Sequence, residues 1–177
     1  MGTANVTLYA QWTAIPTHTV TYNGNGADSG SAPAVPTSYY EGQTVTVLGN
    51  TGGYVKAGYT FVGWNTAANG SGSGYVASNT FAMGTSSVTL YAQWTAIPTH
   101  TVTYDGNTPD SGNPPAGPTS YYEGQTVTVL DNTGNYVKAG FTFGGWNTQA
   151  DGLGTNYVAS DTFAMGTADV TLYAKWN

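Results

Sequence analysis

No cysteine and no arginine occur among the 177 residues, and lysine appears only three times. Without thiols the chain has neither disulfides nor thiolate metal ligands to staple it. Charged residues make up 7% of the chain, against about 25% in an average soluble domain. At a net charge of −6, three lysines cannot supply the basic footprint that nucleic acid or an anionic membrane surface requires. No apolar run reaches the ~18–20 residues of a membrane helix, so membrane insertion is not expected. No signal peptide opens the sequence, and any export signal or anchor is expected to lie outside it. No segment shows the helical spacing of apolar residues, which predicts very little helix.

What is present is threonine, serine, asparagine, glycine and a 14% share of aromatics. One stretch organises the rest. Val-Thr-Leu-Tyr-Ala-Gln/Lys-Trp occurs at residues 6–12, 88–94 and 170–176, so Trp12, Trp94 and Trp176 stand 82 residues apart. In a strand, Val88, Leu90, Ala92 and Trp94 fall on one face, and Thr89, Tyr91 and Gln93 on the other. That is the pattern of a half-buried strand, rich in residues that suit a pleated surface. The repeat divides the chain into residues 13–94 and 95–177, preceded by residues 1–12 as the terminal strand of an earlier repeat. The spare strand 6–12 has two readings, a disordered orphan or an added strand at an exposed sheet edge, and its complete strand pattern favours the second. Units this small bury little surface unless large aromatics fill the core.

Within each unit, residues 18–22 and 100–104 read as a first strand, and 44–48 and 126–130 as a second. Residues 59–64 alternate as a third, with Tyr59, Phe61 and Gly63 on one face and Thr60, Val62 and Trp64 on the other. Residues 53–58 hold one helical turn at most. Residues 13–18 and 95–100 each carry a proline and read as stiff connectors. The two copies differ at 19 of 82 aligned positions without a gap, and every tryptophan is matched. The second copy gains Asp105, Asp131, Asp151, Asp161 and Asp169, where the first has Asn23, Gly49, Asn69, Asn79 and Ser87. A position that is charged in one copy only reads as solvated, not chemical.

Gly58-Tyr59-Thr60-Phe61-Val62-Gly63-Trp64-Asn65 followed by the stretch at 88–94 resembles the Listeria–Bacteroides repeat family, which includes the internalin B-repeat. The second copy matches through Gly140-Phe141-Thr142-Phe143-Gly144-Gly145-Trp146 and residues 170–176. The resemblance implies two tandem small β-grasp-like, ubiquitin-related domains: mainly β, α+β at most. It also implies an extracellular, cell-surface setting, as a spacer or interaction module of large surface proteins. No catalytic residue comes with it.

Chemistry shared by both repeats must use residues present in both. That leaves His18/His100, Asp28/Asp110, Glu41/Glu123 and Lys56/Lys138, which make neither a catalytic triad nor a transition-metal site. No enzyme activity and no cofactor are expected, and the histidines read as solvated strand starts. Asp28 and Asp110 are the calcium candidates, with fewer oxygens nearby than the usual ~6–8. Lys56 and Lys138 raise the idea of an isopeptide cross-link to an Asn or Asp side chain, with Glu41 or Glu123 assisting proton transfer; the plainer reading is a solvated lysine beside a turn glutamate. Tyr59, Phe61, Trp64, Leu90, Tyr91 and Trp94 form the expected core signature of the first repeat. Phe141, Phe143, Trp146, Leu172, Tyr173 and Trp176 do so in the second. The alternative for the tryptophans is an exposed sugar-binding platform. Tyr39, Tyr40, Tyr121 and Tyr122, in polar loops, are the expected contact surface. The expected partners are a protein or surface glycan, and neighbouring repeats in cis.

Overall fold

The computed structural model describes residues 5–34 and 38–177, and among these every regular element is a strand. The chain divides between Ala96 and Ile97 into two compact units. The first repeat comprises β1 (Thr17–His18), β2 (Val20–Asn23), β3 (Tyr39–Tyr40), β4 (Thr44–Thr46), β5 (Tyr59–Asn65), β6 (Gly74–Tyr75), β7 (Thr80–Ala82) and β8 (Val88–Ala96). The second comprises β9 (Thr99–Asp105), β10 (Ser120–Tyr122), β11 (Thr126–Thr128), β12 (Phe143–Asn147), β13 (Asn156–Tyr157), β14 (Thr162–Ala164) and β15 (Val170–Trp176).

The second repeat's main sheet runs β10-β9-β15-β12-β13, and the first repeat's runs β2-β8-β5-β6 with β1 paired to β3. The closing strand, β8 or β15, is therefore central. It lies parallel to the first strand and antiparallel to the third, with Val20 facing Val88 and Val102 facing Val170 in the parallel ladders. This position follows from its side chains: Leu90, Ala92, Leu172 and Ala174 are buried, while the alternate residues are partly exposed. A separate two-stranded ribbon, β4 with β7 or β11 with β14, covers the core. From it come the buried Val45 and Val127, and the segment that follows adds Val47 and Val129.

The third strand does not alternate as its sequence predicts. Its register against β8 shifts between Phe61 and Gly63. Such a bulge inserts one residue and reverses the facing of everything beyond it. Phe61 and Trp64 consequently meet on one side, ring centroids 5.0 Å apart. Gly63 carries the bulge at φ 143° and Gly145 at φ 103°. A Cβ there would stand 2.7 Å from Tyr75 O or 2.6 Å from Tyr157 O, so only glycine fits.

Two further expectations are corrected. Among the described residues, 5–12 pair with no strand, and Val6, Leu8, Tyr9 and Trp12 are exposed, Trp12 at 92%. In both complete repeats this strand is held between a first and a third strand, and residues 5–12 meet neither. Residues 95 and 96 continue β8, and Thr99 already begins β9, so the connector shrinks to Ile97 and Pro98. Residues 53–58, read as one helical turn at most, hold none, and Val55 bridges Ser29.

Each core centres on one tryptophan. Trp64 is 1% exposed and Trp146 0%. Trp64 meets Tyr22 edge-to-face at 4.7 Å, and Trp146 meets Tyr104 at 4.8 Å; such pairs add ~0.5–1.5 kcal/mol beyond the area they bury. The Trp64 indole N–H donates to Leu48 O at 2.8 Å, while the Leu48 N–H donates to the Tyr22 hydroxyl at 2.9 Å. Trp146, Leu130 and Tyr104 repeat the arrangement. Burial raises the Tyr22 and Tyr104 phenols above their usual pKa, against the opposing pull of these backbone hydrogen bonds.

Candidate functional surfaces

Asparagine side chains hold the loops that a cysteine-free chain leaves unstapled. Asn65 and Asn147 are buried. Asn65 Oδ1 accepts from the amides of Ala67 (2.8 Å) and Gly72 (3.0 Å), and its Nδ2 donates to Gly70 O and Gly72 O at 3.1 Å. Asn147 does the same in the second repeat. Asn25 Nδ2 ties Ala68 O to Ala92 O, and Asn107 ties Ala150 O to Ala174 O. Asn50 and Asn132 clamp both backbone groups of Tyr54 and Tyr136. The clamps at Asn65, Asn147, Asn50 and Asn132 were not singled out by sequence reasoning. The available signal was the unchanged Trp-Asn-Thr opening a loop that otherwise differs between the copies.

The shared titratable residues fall into separate places. His18 Nε2 lies 3.1 Å from Glu41 Oε1, and His100 Nε2 3.1 Å from Glu123 Oε1. The histidines are thus half-buried turn partners, not solvated strand starts. Glu41 and Glu123 are occupied by this contact, whereas the lysines sit over aromatic rings: Lys56 Nζ is 4.6 Å from the Tyr59 centroid and Lys138 Nζ 5.4 Å from that of Phe141. Among the described residues no lysine lies within 4.0 Å of a carboxylate, so the arrangement does not bring Lys56 to Glu41 or Lys138 to Glu123. Asp28 accepts the Ala57 N–H at 2.7 Å and Asp110 that of Ala139 at 2.6 Å. Each pins one loop to another, and no cluster of three His, Cys, Asp or Glu forms among the described residues.

The aromatics divide by face. Trp94 and Trp176 are half-buried against Phe61 and Phe143, and their indole N–H groups donate to Gly24 O and Gly106 O at 3.0 Å. No flat tryptophan platform results. Leu90 and Leu172 are fully buried, Tyr91 and Tyr173 half-buried. Tyr59 and Phe141, placed in the core by sequence, are instead exposed: they precede the bulge, where the sheet has run past the core, and they carry the lysines. Tyr39 and Tyr121, expected at the surface, are buried, each only 7% exposed, while Tyr40 stays 58% exposed. The strands β3 and β10 explain this, since neighbours in a strand face opposite ways. Of these four tyrosines, Tyr40 and Tyr122 are the exposed pair.

The family model of the Listeria-Bacteroides repeat domain matches residues 18–93 and again residues 100–175. The chain belongs to this family. Its two repeats are 43% identical over 162 residues to a protein of Evansella cellulosilytica provisionally named a Gly-rich membrane protein; the match covers 89% of this chain and 18% of that protein. A second Evansella cellulosilytica protein, provisionally named a membrane protein, is 34% identical over 174 residues, covering 96% of this chain and 23% of the relative. The chain thus spans about a fifth of the length of the curated relatives it matches. Among solved structures, domains 3-4 of the Streptococcal High Identity Repeats in Tandem from a cell surface protein align over 90% of this chain and 96% of theirs, at 15% identity and a TM-score of 0.35. No helix among the described residues of the Listeria-Bacteroides repeats is long and apolar enough to cross a membrane.

Proposed function

We propose that the two repeats are a non-catalytic spacer of a secreted or cell-surface protein, built to carry tension and to present whatever adjoins them. One observation supports this reading above others. In each repeat the first and last strands lie side by side and parallel, β2 with β8 and β9 with β15. Tension applied through the chain pulls two such strands in opposite directions along their length. The ladder hydrogen bonds are then loaded together in shear, whereas a hairpin pulled from its open end breaks them one at a time. A stalk benefits from that geometry; an enzyme or a ligand carrier has no need of it.

The same order supports a β-grasp-like reading. A β-grasp sheet has its first and last strands parallel at the centre, flanked by the second and third, as β10-β9-β15-β12 are. In place of a crossing helix, these repeats cover the sheet with the β11/β14 ribbon and asparagine-held loops. Adhesin-type contacts to a protein or glycan would use the exposed Tyr40 and Tyr122.

Single-molecule pulling tests the proposal. The two-repeat chain held by its ends should resist markedly higher force than the same chain held through cysteines placed at residues 60 and 95, paired at one end of the antiparallel β5–β8 ladder, where pulling opens the bonds one at a time. Equal forces in the two directions would refute it.

A further inference from the structure

Two of the chain's three lysines line one groove of about 350 Å³ in the second repeat, at the small end of the ~300–1,000 Å³ range of small-molecule sites. Phe141, 52% exposed, and the half-buried Trp176 give it aromatic walls. Lys138, Lys175, Gln149 and Asp151 give it polar ends. Lys138 is held in place, donating to Thr108 Oγ1 at 3.0 Å. Asp151 accepts the Leu153 N–H on one oxygen at 3.0 Å, leaving the other for a ligand.

The first repeat has the same backbone but not the same groove. At the corresponding positions it carries Gln93 for Lys175, Ala67 for Gln149, Asn69 for Asp151, Tyr59 for Phe141 and Gly26 for Thr108. Gln93 is turned onto its own strand, donating to Tyr91 O at 3.1 Å and Ala92 O at 3.2 Å. Lys175 is the only cation the second repeat gains, while its five extra acids are exposed and only Asp151 among them lines the groove. Two ammonium groups against one carboxylate leave a local charge of +1, which one ligand carboxylate neutralises. Aromatic faces bind the apolar face of a sugar ring, and amide and carboxylate groups bind its hydroxyls.

We infer that this groove binds a carboxylate-bearing sugar, the uronic acid unit of an acidic glycan. The inference goes beyond the spacer reading and does not rest on it: the pulling geometry is common to both repeats, the groove belongs to one. The test is an amide-resolved NMR titration of the two-repeat chain with trigalacturonate. Saturable shifts are expected at Gln149, Asp151 and Lys175, with none at Ala67, Asn69 and Gln93. Lys175→Gln restores the residue the first repeat already folds with, and should weaken binding at least tenfold; Lys138→Met should do the same while leaving the melting temperature unchanged. Equal shifts with uncharged maltotriose, or with acetate at the same carboxylate concentration, would overturn the assignment. So would no response at all, or binding that survives Lys175→Gln.

Discussion

The first repeat carries two acids and one lysine, the second seven acids and two lysines, yet the two have the same strand order and the same core. The reason is where the extra acids stand. Asn23 Oδ1 accepts the Asn25 N–H at 2.8 Å, and Asp105 accepts that of Asn107 at 2.7 Å. Asn69 and Asp151, Asn79 and Asp161, and Ser87 and Asp169 likewise receive equivalent backbone amides. A carboxylate replaces an amide or hydroxyl oxygen at an exposed turn, and the acceptor role survives the change of charge. The comparison teaches which positions hold the fold and which tune it.

The positions that do not differ should show the largest effects, equal in the two repeats. Leu90→Ala and Leu172→Ala, each emptying a fully buried site, should each cost about 2–5 kcal/mol in their own repeat by denaturant unfolding. Asn65→Ala and Asn147→Ala should follow at about 1–3 kcal/mol, because each takes from two loop amides and two loop carbonyls the partner that the side chain now supplies. Asn69→Ala, at an exposed turn, should cost under about 1 kcal/mol and marks the contrast.

At alkaline pH the repeats should begin to part. A phenol whose folded pKa is raised stabilises the fold below its unfolded value, and that stability is lost as pH rises through the folded value. Tyr22 and Tyr104 contribute this in both repeats, but Tyr136 adds to it in the second, raised first by burial and then by the Asp105 charge. Melting curves above pH 10 should therefore show the second repeat losing more, and Asp105→Asn should narrow the gap. In acid the asymmetry has the same sense for a different reason. The Thr101 backbone and side chain hold Asp169 below its usual pKa of 3.8, with a smaller push from His100. Its stabilisation is present above about pH 4 and disappears as pH falls through the lowered value. Asp169→Ser, which installs the first repeat's residue, should abolish this small acid dependence in a calorimetric series from pH 6 to 2.

Much of this was legible because the chain states it twice. The 82-residue spacing of its tryptophans gives the repeat, and the apolar alternation of 88–94 gives the strand that proves central. What escaped has physical causes. A bulge at Gly63 reverses a strand's facing after one residue, so alternation placed Phe61 and Trp64 on opposite sides when they touch. Tyr39-Tyr40 offers two identical residues on a two-residue strand, and sequence alone cannot say which points inward. The asparagine clamps look like ordinary turn residues, since the same residue type serves both ends. The groove in the second repeat is assembled from loops distant in sequence, and only their folding together shows it.

The central claim is that each repeat is held by its own tryptophan core and its own asparagine clamps. Residue-resolved hydrogen exchange on Trp146→Ala tests it most directly. The account predicts that protection falls along β15, β12 and β9 while Leu90 and Ala92 in β8 exchange as slowly as before. Protection falling equally in both repeats would contradict it.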